Sequence, residues 1–361
     1  MTDLAHRDFR RILIIKPSSP GDIIHALPVL HGLRKRYPAA HLAWLVATPF
    51  ADLIENDTAL NEVIRFDRKR FGFLGRSIRI TGEFLTFLKQ LRAKAFDLVI
   101  DLQGLFRSGF LARASGARTR MGFADAREFA WLFYTDRISK TNADVHAADR
   151  NYAVAAMLGF PDVSMDFTIY LSESDRQVAD ALLRSAGIDP AKHFAVLVPA
   201  TRWETKCWPA DRFGEVARWL HENHAIPSVL VGGSSDAQAA EKAVAASGGA
   251  ARSLCGQTTL RQAAALIEKS AIVITADSTP MHLAVVLNRP LIALFGPTNP
   301  RRTGPHGRLN DVLRLDLECS PCYYRRLSQC PFQHACMEQL TASRVADFAA
   351  QRIERRAGFA S

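Results

Sequence analysis

Apolar residues in this chain fall into two alternating patterns. Short, nearly unbroken runs recur in the first half: RILII (Arg11–Ile15), HLAWLVA (His41–Ala47), EVIRF (Glu62–Phe66), DLVIDLQG (Asp97–Gly104) and ARTRMGF (Ala117–Phe123). A second series follows: FAVLVPAT (Phe194–Thr201), SVLVGGSSD (Ser228–Asp236), AIVITADS (Ala271–Ser278) and PLIALFGPT (Pro290–Thr298), read as the last strand. Between them lie stretches with apolar residues three and four apart. These are Ile23–Tyr37, Phe84–Lys94, His146–Gly159, the segment opened by Pro209 and Asp211, Leu260–Ser270, Thr279–Leu287 and Ser343–Arg356. Continuous runs predict strands buried on both faces, and spaced runs predict the helices that cover them. Strand and helix alternate in both halves. The expected fold is therefore α/β, with two doubly wound parallel-sheet (Rossmann-like) domains facing one another across a cleft. The irregular stretch Phe160–Asp175 reads as the linker, dividing the chain into 1–165, 166–340 and a C-terminal helix at 341–361.

Length agrees with two domains, since 361 residues exceed the usual single core. No apolar run approaches the roughly 18 residues of a membrane-spanning helix. The longest candidate, Leu283–Phe295, is interrupted by Asn288, Arg289 and Pro290. The N-terminus lacks a signal-peptide pattern, so a cytoplasmic location is expected, with the six cysteines as thiols or metal ligands. The net charge of +10 is concentrated at one end: residues 1–120 carry 20 Lys/Arg against 11 Asp/Glu, and the remainder 26 against 25. A basic first half implies an acidic partner, whether phosphorylated lipid, nucleic acid or anionic sugar. Within it, Arg65, Arg68, Lys69, Arg70, Arg76 and Arg79 interleave with Phe66, Phe71, Phe73, Leu74 and Ile78. That mixture suits an anionic membrane surface, or else a solvated loop whose phenylalanines pack inward.

Polar loops cluster at the carboxyl ends of the strands, where open α/β sheets bind ligands. RILIIKPSSPGD leads from a strand through Ser18, Ser19 and Gly21 to Asp22 at the mouth of a helix, whose dipole favours the carboxylate. Asp22 is thus either a proton acceptor or an N-cap. A second tip, with Asp101, Gln103, Gly104, Arg107 and Ser108, is expected to face the same cleft. In the second half the tips carry Thr201 and Lys206, then Ser234 and Asp236, then Asp277, Ser278, Thr279 and His282. Backbone N–H groups at Ser278–Thr279 suit phosphate oxygens, Lys206 suits a diphosphate leaving group, and Asp236 suits ribose hydroxyls. Singly, each has a plainer role as a surface lysine, a cap or a core histidine. Together, such tips at the strand ends of one domain favour a nucleoside diphosphate. No strand is followed by G-x-G-x-x-G, and no Walker A, His-Glu-x-x-His or G-x-S-x-G motif occurs. Cys319, Cys322, Cys330 and Cys336 form C-x2-C-x7-C-x5-C, a spacing for a structural zinc or iron site or for four reduced thiols.

KPSSPGDIIHALPVL, WETKCWPADRF and ADSTPMHLAVVLNRPLIALFGPTNPRRTGPHG resemble the signature blocks of the lipopolysaccharide heptosyltransferases, inverting glycosyltransferases of the GT-B fold. DLQGLFRSG and HAADRNY add weaker support. The blocks run from Lys16 to Gly307. This resemblance implies an N-terminal acceptor domain and a C-terminal donor domain. It implies Asp22 as general base, Lys206 and Thr201 on the donor diphosphate, and Asp277 and His282 at the donor sugar and phosphates. Asp236 and Thr258 would lie near the nucleoside, and Ser18, Ser19, Gly21, Gln103 and Arg107 at the acceptor. Where the family carries Asp-Thr-Gly, this chain has Asp277-Ser278-Thr279, which retains a hydroxyl and lacks the glycine. The implied reaction moves heptose from an ADP-sugar donor to an anionic lipid-linked acceptor of Kdo-lipid A type, needs no cofactor for catalysis, and involves no nucleic acid. The implied location is cytoplasmic, peripheral on the inner membrane. Other fates of the same fold are a different sugar, a protein acceptor, a nucleotide-sugar epimerase or a non-catalytic nucleotide-binding protein.

Overall fold

The computed structural model describes residues 4–142 and 144–357, and the last residues of the C-terminal segment lie outside it. The chain forms two compact units, Met1–Tyr170 and Leu171–Ser361. In the first, β1 (Arg11–Ile15), β2 (His41–Ala47), β3 (Glu62–Phe66), β4 (Leu98–Asp101), β5 (Thr119–Phe123) and β6 (Asp136–Ile138) form one parallel sheet in the order β3-β2-β1-β4-β5-β6. In the second, β7 (Ala195–Val198), β8 (Ser228–Leu230), β9 (Ala251–Ser253), β10 (Ile272–Ala276), β11 (Leu291–Phe295) and β12 (Val312–Arg314) pair in the order β12-β11-β10-β7-β8-β9. All ladders are parallel; for example, Ile12 to Ile15 align with Leu98 to Asp101, and Ile272 to Thr275 with Ala195 to Val198. PLIALFGPT is therefore not the last strand, because β12 adds outside it.

Central strands are largely apolar because helices cover both faces. β7, β10 and β11 are buried at every position. On one side of the first sheet, Leu13, Ile15, Leu45 and Val99 meet Phe66, Phe84 and Leu91. In the second unit Leu197, Ile274 and Leu294 meet Trp208, which precedes the helix Ala210–His224, Phe213 and Leu220 from that helix, and Val345 and Ala349 from the helix Ala342–Ala357. Each fully buried leucine, isoleucine, valine or phenylalanine among these contributes roughly 1.5–3 kcal/mol relative to exposure.

The segment after β1 departs from the expected single helix. Helix Pro20–Ile24 ends at His25, and a new helix, Leu27–Arg36, restarts with Pro28 in its first turn. Pro28 has no N–H to extend the first helix, so the chain breaks there. Gly21 and Asp22 consequently lie in the first turn of a short helix, not in the loop before one.

Candidate active site

In both sheets the chain winds outward in opposite directions from a central pair of strands, β1 and β4 in the first unit and β7 and β10 in the second. The crevice at the carboxyl ends of such a pair is where doubly wound sheets hold ligands.

In the first unit, the β1 loop and the β4 loop are tied together. Lys16, buried, donates from Nζ to the carbonyl of Leu102 at 2.9 Å. Ser19 is the N-cap, and the Asp22 carboxylate accepts from its backbone N–H (2.9 Å) and its hydroxyl (2.7 Å). Asp22 therefore stands at the third helical position, and it is Ser19 that occupies the cap; the two hydrogen bonds orient the carboxylate. Ser18 and Ser19 are half-buried and Gly21 is buried.

Asp101 is corrected by the structure. It does not face a cleft: it is fully buried, accepting from Tyr134 Oη (2.7 Å) and the N–H groups of Gln103 (2.9 Å) and Gly104 (3.1 Å). Burial raises its pKa above the usual carboxylate value, against these hydrogen bonds, which lower it. Gln103, held by this turn, is half-buried, and among the described residues its Oε1 is buried with no hydrogen-bond partner. Arg107 is exposed.

In the second unit, the loops after β7 and β10 meet in one ion pair. Lys206 Nζ lies 2.7 Å from Asp277 Oδ2, both largely buried. The same oxygen accepts from Thr298 Oγ1 (2.8 Å) and Thr303 Oγ1 (3.3 Å). Thr201 Oγ1 closes its loop by donating to the Trp203 carbonyl (3.1 Å), and Lys206 Nζ stands 4.4 Å from the centre of the Trp203 ring. Ser278 is the N-cap of the helix Thr279–Val286, with its hydroxyl 2.8 Å from that of Thr275. Thr279 is half-buried and His282 is buried. Asp236 turns back onto its own loop, accepting from the Gly233 N–H at 2.8 Å, and Thr258, half-buried, precedes the N-cap Thr259 of the helix Leu260–Lys269. The structure thus brings together Thr201, Lys206, Asp277 and, from the next residues, Ser278. The aromatic floor Trp203 and the threonines Thr298 and Thr303 complete the set. Trp203, Thr298 and Thr303 stand inside the sequence blocks already quoted, but nothing in their spacing assigns them to Lys206 or Asp277.

The four C-terminal cysteines are free thiols. Cys336 is buried against the end of β11, where a Cβ on Gly296 would come within 2.7 Å of its sulfur. Burial, reinforced by the charges of Cys322, Cys319 and Cys330, pushes the Cys336 thiol up to about 11. Among the described residues, the four sulfurs do not gather within 4.8 Å of one another.

Comparison with known proteins places these features. The model of glycosyltransferase family 9 (heptosyltransferase) matches residues 84–334. The chain is 30% identical over 356 residues to lipopolysaccharide heptosyltransferase 1 of Pseudomonas aeruginosa, covering 93% of this chain and 96% of that one. It is 28% identical over 310 residues to the lipopolysaccharide core heptosyltransferase OpsX of Haemophilus influenzae, covering 85% and 84%. The solved structure of Escherichia coli heptosyltransferase WaaC with ADP superposes with a TM-score of 0.74 at 27% identity, covering 95% of this chain and 99% of that one.

Proposed function

The chain belongs to glycosyltransferase family 9, the heptosyltransferases, and from that premise we propose how its loops divide the reaction. It is a glycosyltransferase of the GT-B fold that transfers heptose from ADP-heptose in assembly of the lipopolysaccharide inner core. Asp22, oriented by Ser19, takes the proton from an acceptor hydroxyl. That oxygen attacks the anomeric carbon, the bond to the diphosphate breaks with inversion, and ADP leaves. Lys206 and Thr201 hold the diphosphate, with Asp277, Ser278, Thr279 and His282 at the donor sugar and phosphates, and Asp236 and Thr258 toward the nucleoside. Ser18, Ser19, Gly21, Gln103 and Arg107 form the acceptor side, where the orphaned Gln103 Oε1 suits a sugar hydroxyl. The observation that carries this assignment is the Lys206–Asp277 pair astride the β7–β10 switch point.

No catalytic cofactor enters this scheme. Four thiols on one short segment fit a thiophilic structural ion chemically, once the sulfurs close to the roughly 2.3 Å metal–sulfur distance of a tetrahedral site. Cys319, Cys322, Cys330 and Cys336 would hold zinc or iron, which would brace the segment and take no part in transfer. Metal content of protein purified without chelator tests this.

The chain works on the cytoplasmic face of the inner membrane, bound peripherally, its basic first unit receiving a Kdo-bearing lipid acceptor. Among the described residues, no helix is long and apolar enough to cross a membrane.

The deciding experiment follows ADP release from ADP-heptose, with and without Kdo-bearing lipid A, for wild type and Asp22→Asn. Acceptor-dependent release, lost by a factor of about 10² or more in the variant, supports the base assignment. Equal rates in the two proteins remove Asp22 from the chemistry. Turnover of the nucleotide sugar without acceptor would instead support an epimerase.

A further inference from the structure

Trp203 lies between Lys206 and a stretch of chain more than a hundred residues away. Lys206 Nζ is 4.4 Å from the centre of the indole ring and Arg325 Cζ is 4.8 Å from it, so the two charges are separated by no more than the sum of those distances. Lys206 is paired with Asp277. The Arg325 side chain is exposed and, among the described residues, has no carboxylate partner.

Arg325 is not on a loose tail. Its segment is fastened to the Lys206 loop at three points. Leu327 N–H donates to Glu204 Oε2 (3.0 Å), Thr205 Oγ1 donates to the Tyr324 carbonyl, and His334 Nε2 donates to the Thr205 carbonyl (2.7 Å). Gln329 Oε1 accepts from the backbone N–H groups of both Arg325 and Arg326 at 3.0 Å, fixing the local turn. The base of the segment docks on the end of β11, where Tyr323 N–H donates to the Pro297 carbonyl at 2.8 Å. A guanidinium without a carboxylate, held on the same ring as a lysine, is a like-charge arrangement that a bound polyanion relieves.

We propose that Arg325 is a donor-binding residue, placing its guanidinium on the phosphate oxygens of a nucleoside diphosphate held by Lys206. This rests on the assignment of Lys206 to the donor diphosphate. It also makes the cysteine segment part of the donor site, because Cys322 and Cys330 flank the turn that carries Arg325.

The test is calorimetric binding of ADP and of AMP to the full chain, with wild type, Arg325→Gln, Arg325→Lys and Lys206→Gln, whose amide still donates to Asp277. Loss of one charge-assisted contact predicts ADP binding about tenfold weaker in Arg325→Gln. AMP, lacking the second phosphate, changes by less than about threefold, Arg325→Lys recovers most of the ADP loss, and the acceptor KM is unmoved. ADP affinity unchanged in Arg325→Gln, but weakened in Lys206→Gln, overturns the proposal and leaves the donor assignment standing. ADP affinity unchanged in Lys206→Gln overturns both. Equal losses for ADP and AMP without rescue by lysine would make Arg325 a mere brace for the Trp203 loop, and the proposal falls.

Discussion

At the scale of single residues, the buried polar groups matter most for stability. Asp101 is fully buried, and Tyr134 Oη donates to its carboxylate at 2.7 Å. Tyr134→Phe keeps the ring and removes that donor, so the expected cost is about 1–3 kcal/mol in urea unfolding; an unchanged midpoint would show that the pair is energetically neutral. His31, buried, places Nε2 2.9 Å from Asp57 and Nδ1 2.7 Å from the Asp166 carbonyl. Burial lowers its pKa, but Asp57 and Asp166 outweigh it and hold the imidazole above 6.5. A raised value means a stabilising contribution fully present below pH 6.5 and lost as pH rises through the folded pKa. The Tm difference between wild type and His31→Gln is therefore expected to be largest at pH 5.5–6 and to shrink toward pH 9. The polar strand-end residues were legible from sequence because chemistry-bearing side chains recur at one edge of each sheet. Their partners were not: nothing in the order of residues says that Asp101 turns inward to Tyr134, or that Asp277 receives Lys206.

Among secondary-structure elements, legibility followed burial. The central strands, covered on both faces, announce themselves as unbroken apolar runs. The edge strands β6, β9 and β12 are three residues each and partly exposed, so they carry no such signal. Helix Ala237–Ala246 hides in an alanine-rich stretch with little contrast between faces. Helix Glu173–Ser185 starts in the last residues of the expected linker Phe160–Asp175 and continues through a stretch for which the pattern predicts no element, although its start is marked: Ser172 and Asp175 form a reciprocal capping box. Helix Ile78–Ala93 begins six residues before Phe84 because Ser77 caps it, while Ile78 is 95% exposed and breaks the apolar rhythm. Where two helices approach closely, a missing side chain sets the distance. A Cβ on Gly214 would fall 2.2 Å from the Ala243 carbonyl oxygen and 2.7 Å from Ala246 Cβ. Gly214→Ala must push Ala210–His224 off Ala237–Ala246, at a cost of about 1–3 kcal/mol. A thermal midpoint equal to wild type would disprove that tight contact.

For the molecule as a whole, charge and exposed apolar surface coincide in the first unit. Phe66 and Phe71 pack inward with Phe84 and Phe87, whereas Phe73, Leu74 and Ile78 are exposed at 54%, 45% and 95%. The segment therefore does both things its composition allowed. Arg70 is taken by Glu83 in a two-pronged pair at 2.7 and 2.6 Å, so it is a poor probe of lipid contact. Arg68, Lys69 and Arg76 are exposed. Reversing those three charges is expected to weaken sedimentation with anionic liposomes by about tenfold or more, at roughly 1 kcal/mol per basic residue; binding that survives the change would place the lipid contact elsewhere. The arrangement of strands carries a different consequence. Strands β1–β6 complete one sheet before the chain leaves it, and β7–β12 complete the other, with the division falling between Tyr170 and Leu171. A recombination junction at that codon boundary cuts no ladder and opens neither core. Under the proposed division of acceptor and donor between the two units, an exchange of front halves at that boundary is expected to leave both halves folded and to let what is glycosylated and what is donated be inherited separately.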